Sequence, residues 1–406
     1  MKRWIGLLTA ACMVFLCAAK ACAEEADSLS LATPSALLME AETGTVLYEK
    51  AADERMSPAS VTKIMTLLLI FEAVEDGRLS LTDEVGTSAR AKSMGGSQVF
   101  LEEGEKQSVE TLIKCIVVAS GNDAAVAMAE HIAGTEEEFV ARMNEKAASL
   151  GMENTNFVDC CGLTDDPGHY TSARDIALMT RELITRFPEI YEYSTIWMEN
   201  ITHVTRQGTS EFTLTNTNKL LRSFDGCLGL KTGSTSIAKY CLSATAVRND
   251  IQLIAVILAA PDSKTRFAEA ASLLNYGYGI CRLYRDENTE SPGSVPVSGG
   301  KKEEAACRYE GEFTFLDTQG KDLSAVEKEL VWKDEITAPV QEGDVLGEAV
   351  YRLDGQEIGR VELVAAETVE KADFLHYLKK VWSIYGDLCY DKDAISAETE
   401  TEAGEI

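Results

Sequence analysis

Pro58-Ala59-Ser60-Val61-Thr62-Lys63 leads into Ile64-Met65-Thr66-Leu67-Leu68-Leu69-Ile70-Phe71-Glu72-Ala73-Val74, and Gly77 closes the run. A run this apolar on nearly every face predicts a buried helix, and Pro58 suits its start. Ser60 and Lys63 are three residues apart where the helix opens, which puts both side chains on one face. A hydroxyl beside an amine is a nucleophile supplied with its own base. The helix N-terminus adds backbone N–H groups and a partial positive charge that favour an oxyanion. A lysine partly buried near other cations gives up its proton more readily.

Ser-x-x-Lys alone is a weak signal. Ser236 to Lys239 and Ser298 to Lys301 repeat it, and an N-cap serine with a surface lysine accounts for most such matches. What singles out Ser60 is the helix behind it and two further motifs downstream. Ser120-Gly121-Asn122 follows the apolar stretch Leu112 to Ala119 and interrupts a helical pair over 108–133. Ser120 can relay a proton and Asn122 can hold a substrate amide, although a simple glycine turn explains the same residues. Lys231-Thr232-Gly233 lies in a strand-like segment. Lys231 and Thr232 suit a carboxylate, Gly233 lets another backbone approach, and the N–H of Ser234 completes an oxyanion hole. Arg266, on a later helix, offers a second carboxylate contact. An edge strand made soluble by lysine and a surface arginine are the plainer readings. Together the motifs suit acyl transfer without metal or cofactor. His131, His169, His203 and His376 form no metal-type pair, and no Gly-x-Ser-x-Gly occurs, which disfavours a Ser-His-Asp or metal hydrolase.

Working outward, 35–50 reads as two strands about Glu42-Thr43-Gly44. Residues 136–150 and 172–187 read as amphipathic helices, the stretch from Phe212 to Ala260 as strands, and Thr265 to Tyr276 as a closing helix. This is an α+β catalytic domain over 31–282. The Ser-, Pro- and Gly-rich stretch at 283–300 is expected to be a linker. A small all-β domain over 301–368 follows. Residues 373–389 form an amphipathic helix with Phe374, Leu378, Val381, Tyr385 and Leu388 at helical spacing, and 391–406 is an acidic, disordered tail.

The chain has 406 residues, 45% of them apolar, and a formal charge of -28. The apolar share is ordinary for globular domains, and the acidity argues against nucleic acid as a partner. Residues 1–23 combine Lys2 and Arg3, an apolar run and Ala21-Cys22-Ala23, the pattern of a secretory signal peptide. The protein is therefore expected to work outside the cytoplasm, on the outer membrane face or released. Eight cysteines follow the signal, Cys115, Cys160, Cys161, Cys227, Cys241, Cys281, Cys307 and Cys389. Mostly free thiols are expected, because several lie in apolar stretches.

The three motifs in this order resemble the penicillin-recognising serine enzymes. Gly95-Gly96-Ser97, Ser120 to Ala125, Met143-Asn144, Leu150-Gly151-Met152, Gly162-Leu163, His169 to Asp175 and Gly229 to Gly233 resemble low-molecular-mass D-alanyl-D-alanine carboxypeptidases. Ala338-Pro339-Val340 and Gly343-Asp344-Val345 resemble that family's C-terminal domain. The resemblance implies a β-lactamase/transpeptidase-like fold and removal of the last D-alanine from peptidoglycan stem pentapeptides. It assigns Ser60 as nucleophile, Lys63 as base and Ser120 as proton relay, with Asn122, Lys231, Thr232, Gly233, Ser234 and Arg266 holding substrate. It also implies acylation by β-lactams, no cofactor, and a peripheral membrane contact through 373–389. Leu228 stands where the family usually has Asp, and Asp159-Cys160-Cys161 replaces an Asn-Pro-His type of stretch. A D,D-endopeptidase, a serine β-lactamase and a non-catalytic wall-binding protein are the alternatives. No Glu-x-x-Leu-Asn pentapeptide is present to support the β-lactamase.

Overall fold

The structure, a computed structural model, describes residues 29–383 and Tyr385. The expected signal peptide, the end of the 373–389 helix and the acidic tail lie outside the described residues. Two compact units divide the chain, one ending at Cys281 and the other beginning at Arg282.

The first unit is built on a five-stranded antiparallel sheet. Its strands are β1 (Ser35–Glu40), β2 (Val46–Lys50), β7 (Cys227–Thr235), β8 (Lys239–Arg248) and β9 (Ile251–Ala260), in the spatial order β2-β1-β9-β8-β7. β9 reads IQLIAVILAA and is buried almost throughout, as a central strand covered on both faces must be. Two helices pack on it, α5 (Ala173–Arg186) and α6 (Ser263–Ile280). On α6 a Cβ at Gly277 would meet Leu253 at 2.6 Å and Leu38 at 2.9 Å, so glycine sets how closely that helix seats.

The remaining helices form the other half of the unit. The opening apolar run is α1 (Lys63–Glu75), which buries Lys63 to Leu68, Ile70, Phe71 and Ala73. Phe71 stacks on Phe187 with ring centroids 5.7 Å apart. A short hairpin, β3 (Glu84–Gly86) with β4 (Lys106–Ser108), precedes α2 (Val109–Val117), α3 (Asn122–Ala133) and α4 (Glu136–Ser149). N-terminal side chains cap four of these helices, Ser108 on α2, Thr135 on α4, Ser172 on α5 and Asp262 on α6, each satisfying a backbone N–H that the first turn leaves open.

Two expectations need correction. Strand structure begins at Met198, before Phe212, in the hairpin β5 (Met198–Thr205) and β6 (Gly208–Thr215). Along it only Ile201, His203 and Leu214 are buried, so its apolar alternation is thin. The stretch 283–300 is not a linker. β10 (Arg282–Asp286) pairs with β13 (Phe313–Asp317), and β11 (Ser294–Pro296) pairs with β12 (Glu304–Tyr309). Val295 and Val297 enter the core there, and two apolar residues were too few to outweigh the turn-forming composition around them.

Among the described residues, the second unit is all-β apart from a single 3₁₀ turn and its C-terminal helix. Its main sheet runs β11-β12-β16-β15-β14, completed by β14 (Glu327–Trp332), β15 (Val345–Leu353) and β16 (Gln356–Ala365). Phe313 and Tyr351 stack in its core at 3.8 Å. Residues 374–383 are helical, with Phe374, Leu375, Val381 and Trp382 exposed.

Candidate active site

Ser60 sits in a 3₁₀ turn, Ala59–Thr62, and α1 proper begins at Lys63. Ala59 is held at φ 49°, a left-handed conformation that costs a non-glycine residue about 1–3 kcal/mol and survives only where its surroundings enforce it. Those surroundings are visible. The loop after Cys161 lies against the turn so closely that a Cβ at Gly162 would fall 1.8 Å from the Ala59 carbonyl oxygen. Thr62 Oγ1 donates to that same oxygen at 2.8 Å and lies 2.9 Å from His169 Nε2. His169 Nδ1 accepts the Val158 N–H at 3.0 Å. With the Thr62 proton already committed, the imidazole carries its own on Nε2. Burial holds the ring below the usual histidine range despite Asp159 and Asp166 nearby. His169 is therefore a brace for the turn that carries Ser60.

Lys63 reaches Ser60 Oγ at 3.1 Å, Asn122 Oδ1 at 2.5 Å and the Cys161 carbonyl at 2.8 Å. Asn122 Nδ2 donates to Gly95 O at 2.7 Å, which fixes its oxygen toward the lysine. Two of the three partners of Nζ are thus oxygens that only accept. A neutral amine has two N–H bonds and one lone pair, so it satisfies both and leaves the lone pair for the Ser60 hydroxyl. Burial lowers the Lys63 pKa, although Cys161, Cys160, Asp159 and Asp123 oppose the fall. Geometry and desolvation both favour the base form.

Two carboxylates absent from the expected site hold this arrangement. Asp159 accepts N–H bonds from Cys161 (2.8 Å), Gly162, Leu163 (3.1 Å) and Thr164 (2.7 Å). These bonds fold the loop that aims the Cys161 carbonyl at Lys63. Burial raises the Asp159 pKa, but His169 and the backbone donors outweigh it and the net shift is downward. Asp123 accepts from Val99 and Leu101 at 3.1 Å and ties down the glycine loop that begins at Gly95. A Cβ on Gly96 would stand 2.8 Å from Asn122 Nδ2. Ser120 is held at φ 62°, buried, with no hydrogen-bond partner for its Oγ among the described residues.

β7 supplies the opposite side. Lys231, Thr232 and Gly233 are buried and Ser234 is exposed. Lys231 Nζ donates to Thr232 O at 2.9 Å, and Thr232 Oγ1 lies 2.6 Å from Thr217 Oγ1. Burial first, then the charges of Lys63 and Arg266, push the Lys231 pKa well below its ordinary value. Arg266 is placed differently from the open carboxylate contact read from sequence. Its Nη1 donates to the carbonyls of Gly233 (3.0 Å) and Cys241 (3.1 Å), so it braces β7 from behind. Cys115, Cys160, Cys161, Cys227, Cys241 and Cys307 carry free thiols. Among the described residues no group of three or more His, Cys, Asp or Glu side chains is arranged for a metal.

Residues 20–262 match the family described as D-alanyl-D-alanine carboxypeptidase, and residues 284–371 match the C-terminal domain of penicillin-binding protein 5. The chain is 41% identical to the D-alanyl-D-alanine carboxypeptidase DacF of Bacillus subtilis, over 94% of this chain and 98% of that one. It is 34% identical to DacC of Escherichia coli, over 93% and 94% respectively. The solved structure of penicillin binding protein 5 from Haemophilus influenzae superposes with a TM-score of 0.70 at 31% identity, over 84% of this chain and 98% of that one. With Lys63 bonded to both Ser60 and Asn122, on a fold shared with these proteins, the chain belongs to the D-alanyl-D-alanine carboxypeptidase family.

Proposed function

We propose that this enzyme removes the terminal D-alanine from peptidoglycan stem pentapeptides through an acyl-enzyme on Ser60. The observation that carries the reading is the Lys63 Nζ contact to Ser60 Oγ, made by an amine whose other partners only accept. Ser60 attacks the carbonyl between the two D-alanines while Lys63 takes its proton. The N–H groups of Ser60 and Ser234 face the developing oxyanion. The terminal carboxylate docks on Lys231 and Thr232, where its negative charge favours the charged form that burial disfavours. Asn122 orients a substrate amide through whatever hydrogen-bonding capacity Lys63 and Gly95 leave it. The Ser120 hydroxyl, which has no hydrogen-bond partner among the described residues, passes the proton to the departing D-alanine. Water then releases the shortened peptide. A β-lactam mimics the dipeptide and acylates the same oxygen.

Export by residues 1–23 would deliver the enzyme to its wall substrate. The helix over 374–383, with its exposed aromatic residues, would rest on the outer membrane face. Among the described residues no helix is long and apolar enough to cross a membrane.

The test is release of free D-alanine from a stem pentapeptide, run beside Ser60→Ala. The wild type is expected to release it and to form a durable penicillin adduct, and Ser60→Ala to do neither while folding normally. Rapid turnover of penicillin would make the protein a β-lactamase. Cleavage of a cross-linked dimer without D-alanine release would make it an endopeptidase. Inertness toward both would leave a wall-binding protein.

A further inference from the structure

Between β6 and β7 the chain passes through Asn216-Thr217-Asn218. Both asparagines are buried, and both use their side chains on backbone groups. Asn216 Nδ2 donates to the carbonyls of Ser194 (3.0 Å) and Ile196 (2.8 Å), and its Oδ1 accepts the Asn218 N–H at 2.9 Å. Asn218 Oδ1 accepts the Leu220 N–H at 3.1 Å. Side-chain bonds of this kind fix a turn without help from a sheet or helix ladder. Thr217, held between them, is half-buried.

Thr217 touches both sides of the site. Its N–H donates to the Val118 carbonyl at 3.3 Å, two residues ahead of Ser120. Its Oγ1 lies 2.6 Å from Thr232 Oγ1 on β7. A hydroxyl has one proton and two acceptor sites, so the pair has two settings. If Thr232 donates to Thr217, its proton is spent, and a carboxylate at Lys231 meets lone pairs there. If Thr217 donates, the Thr232 proton is free to turn to the carboxylate, and the bond it accepts strengthens the bond it gives. A carboxylate accepts only, so its arrival selects the second setting. Lys231 Nζ is tethered to the Thr232 carbonyl at 2.9 Å, which keeps ammonium and hydroxyl together on β7.

We propose that Thr217 is a positioning residue: it donates to Thr232 Oγ1 and thereby turns the Thr232 proton toward the substrate carboxylate. This rests on the function proposed above. Thr217 lies outside the three motifs, and its effect passes through another hydroxyl. The test is the rate of penicillin acylation, because penicillin carries a carboxylate as the peptide does. Thr217→Val keeps the shape without the hydroxyl and is expected to slow acylation about tenfold. Thr217→Ser keeps the hydroxyl and is expected to stay within about twofold of the wild type. In a Thr232→Val background Thr217 has no hydroxyl to act on, and Thr217→Val is expected to change the rate by less than about twofold. A residue that only held the turn would cost the same in both backgrounds. Wild-type acylation by Thr217→Val, a loss that Thr217→Ser does not restore, or a loss that persists beside Thr232→Val overturns the assignment and leaves the carboxypeptidase reading intact. A wild type that forms no penicillin adduct and releases no D-alanine overturns that reading itself.

Discussion

A Cβ on Gly233 would stand 3.0 Å from the amide nitrogen of Ser60 and 2.8 Å from the Pro58 carbonyl oxygen. The third residue of Lys-Thr-Gly is therefore glycine because β7 lies directly on the backbone of Ser60. The amide in contact is the one proposed for the oxyanion hole. Gly233→Ala must push strand and turn apart by a few tenths of an ångström, and geometry at that scale governs oxyanion stabilisation. The expected result is a fall of about 10–100-fold in penicillin acylation rate, with the circular dichroism spectrum unchanged. Acylation at the wild-type rate would show that this amide does not act on the carbonyl.

Burial lowers the Lys63 pKa, and the pH profile follows with a definite sign. Protonated Lys63 has no lone pair for the Ser60 hydroxyl, so acylation is lost at low pH and rises as Lys63 deprotonates. Because its pKa lies below the ordinary lysine value, the rise falls at lower pH than an ordinary lysine would give. Lys63→Arg holds the charge permanently and is expected to cost about 10³-fold. The check is the acylation rate of a fluorescent penicillin across pH. A profile that falls as pH rises from neutral would contradict the base role.

The proposed catalytic trio, Ser60, Lys63 and Ser120, stood out in sequence because each member is a polar residue in an apolar setting, as with Lys63 ahead of Ile64. What positions the trio was less legible. Asp159 acts by collecting backbone N–H groups, and Cys161 acts through its carbonyl, which carries no residue identity at all. Asp159-Cys160-Cys161 therefore reads in sequence as a departure from a family pattern, while in the structure it holds Lys63. The fold shows the same asymmetry. β9 announces itself by unbroken apolar character, whereas β11 is visible only through Val295 once β12 is beside it.

Asp159 gives a direct test of that hidden layer. In Asp159→Asn one side-chain oxygen must serve the four N–H groups of residues 161–164, and the amide NH₂ replaces the other acceptor. Losing charge-assisted acceptance by a buried group costs about 1–3 kcal/mol. The expected outcome is a lower Tm together with slower penicillin acylation, because the Cys161 carbonyl no longer meets Lys63. A lowered Tm with normal acylation would confine Asp159 to stability.

The C-terminal helix offers a prediction independent of the cleft. Phe374 is 81% exposed and Trp382 73%, values that a helix seated on its own domain would not leave. Burying such rings at a lipid interface is favourable, whereas leaving them in water is costly. The acidic residues after Asp391 oppose binding to anionic lipid, so the attraction must be apolar and should persist at high salt. Deleting residues 373–406 is expected to release the exported protein from membranes while D-alanine release from soluble peptide is unchanged. Phe374→Ser with Trp382→Ser should weaken vesicle binding in the full chain. Unaltered sedimentation with vesicles after the deletion would show that 373–406 is not the tether.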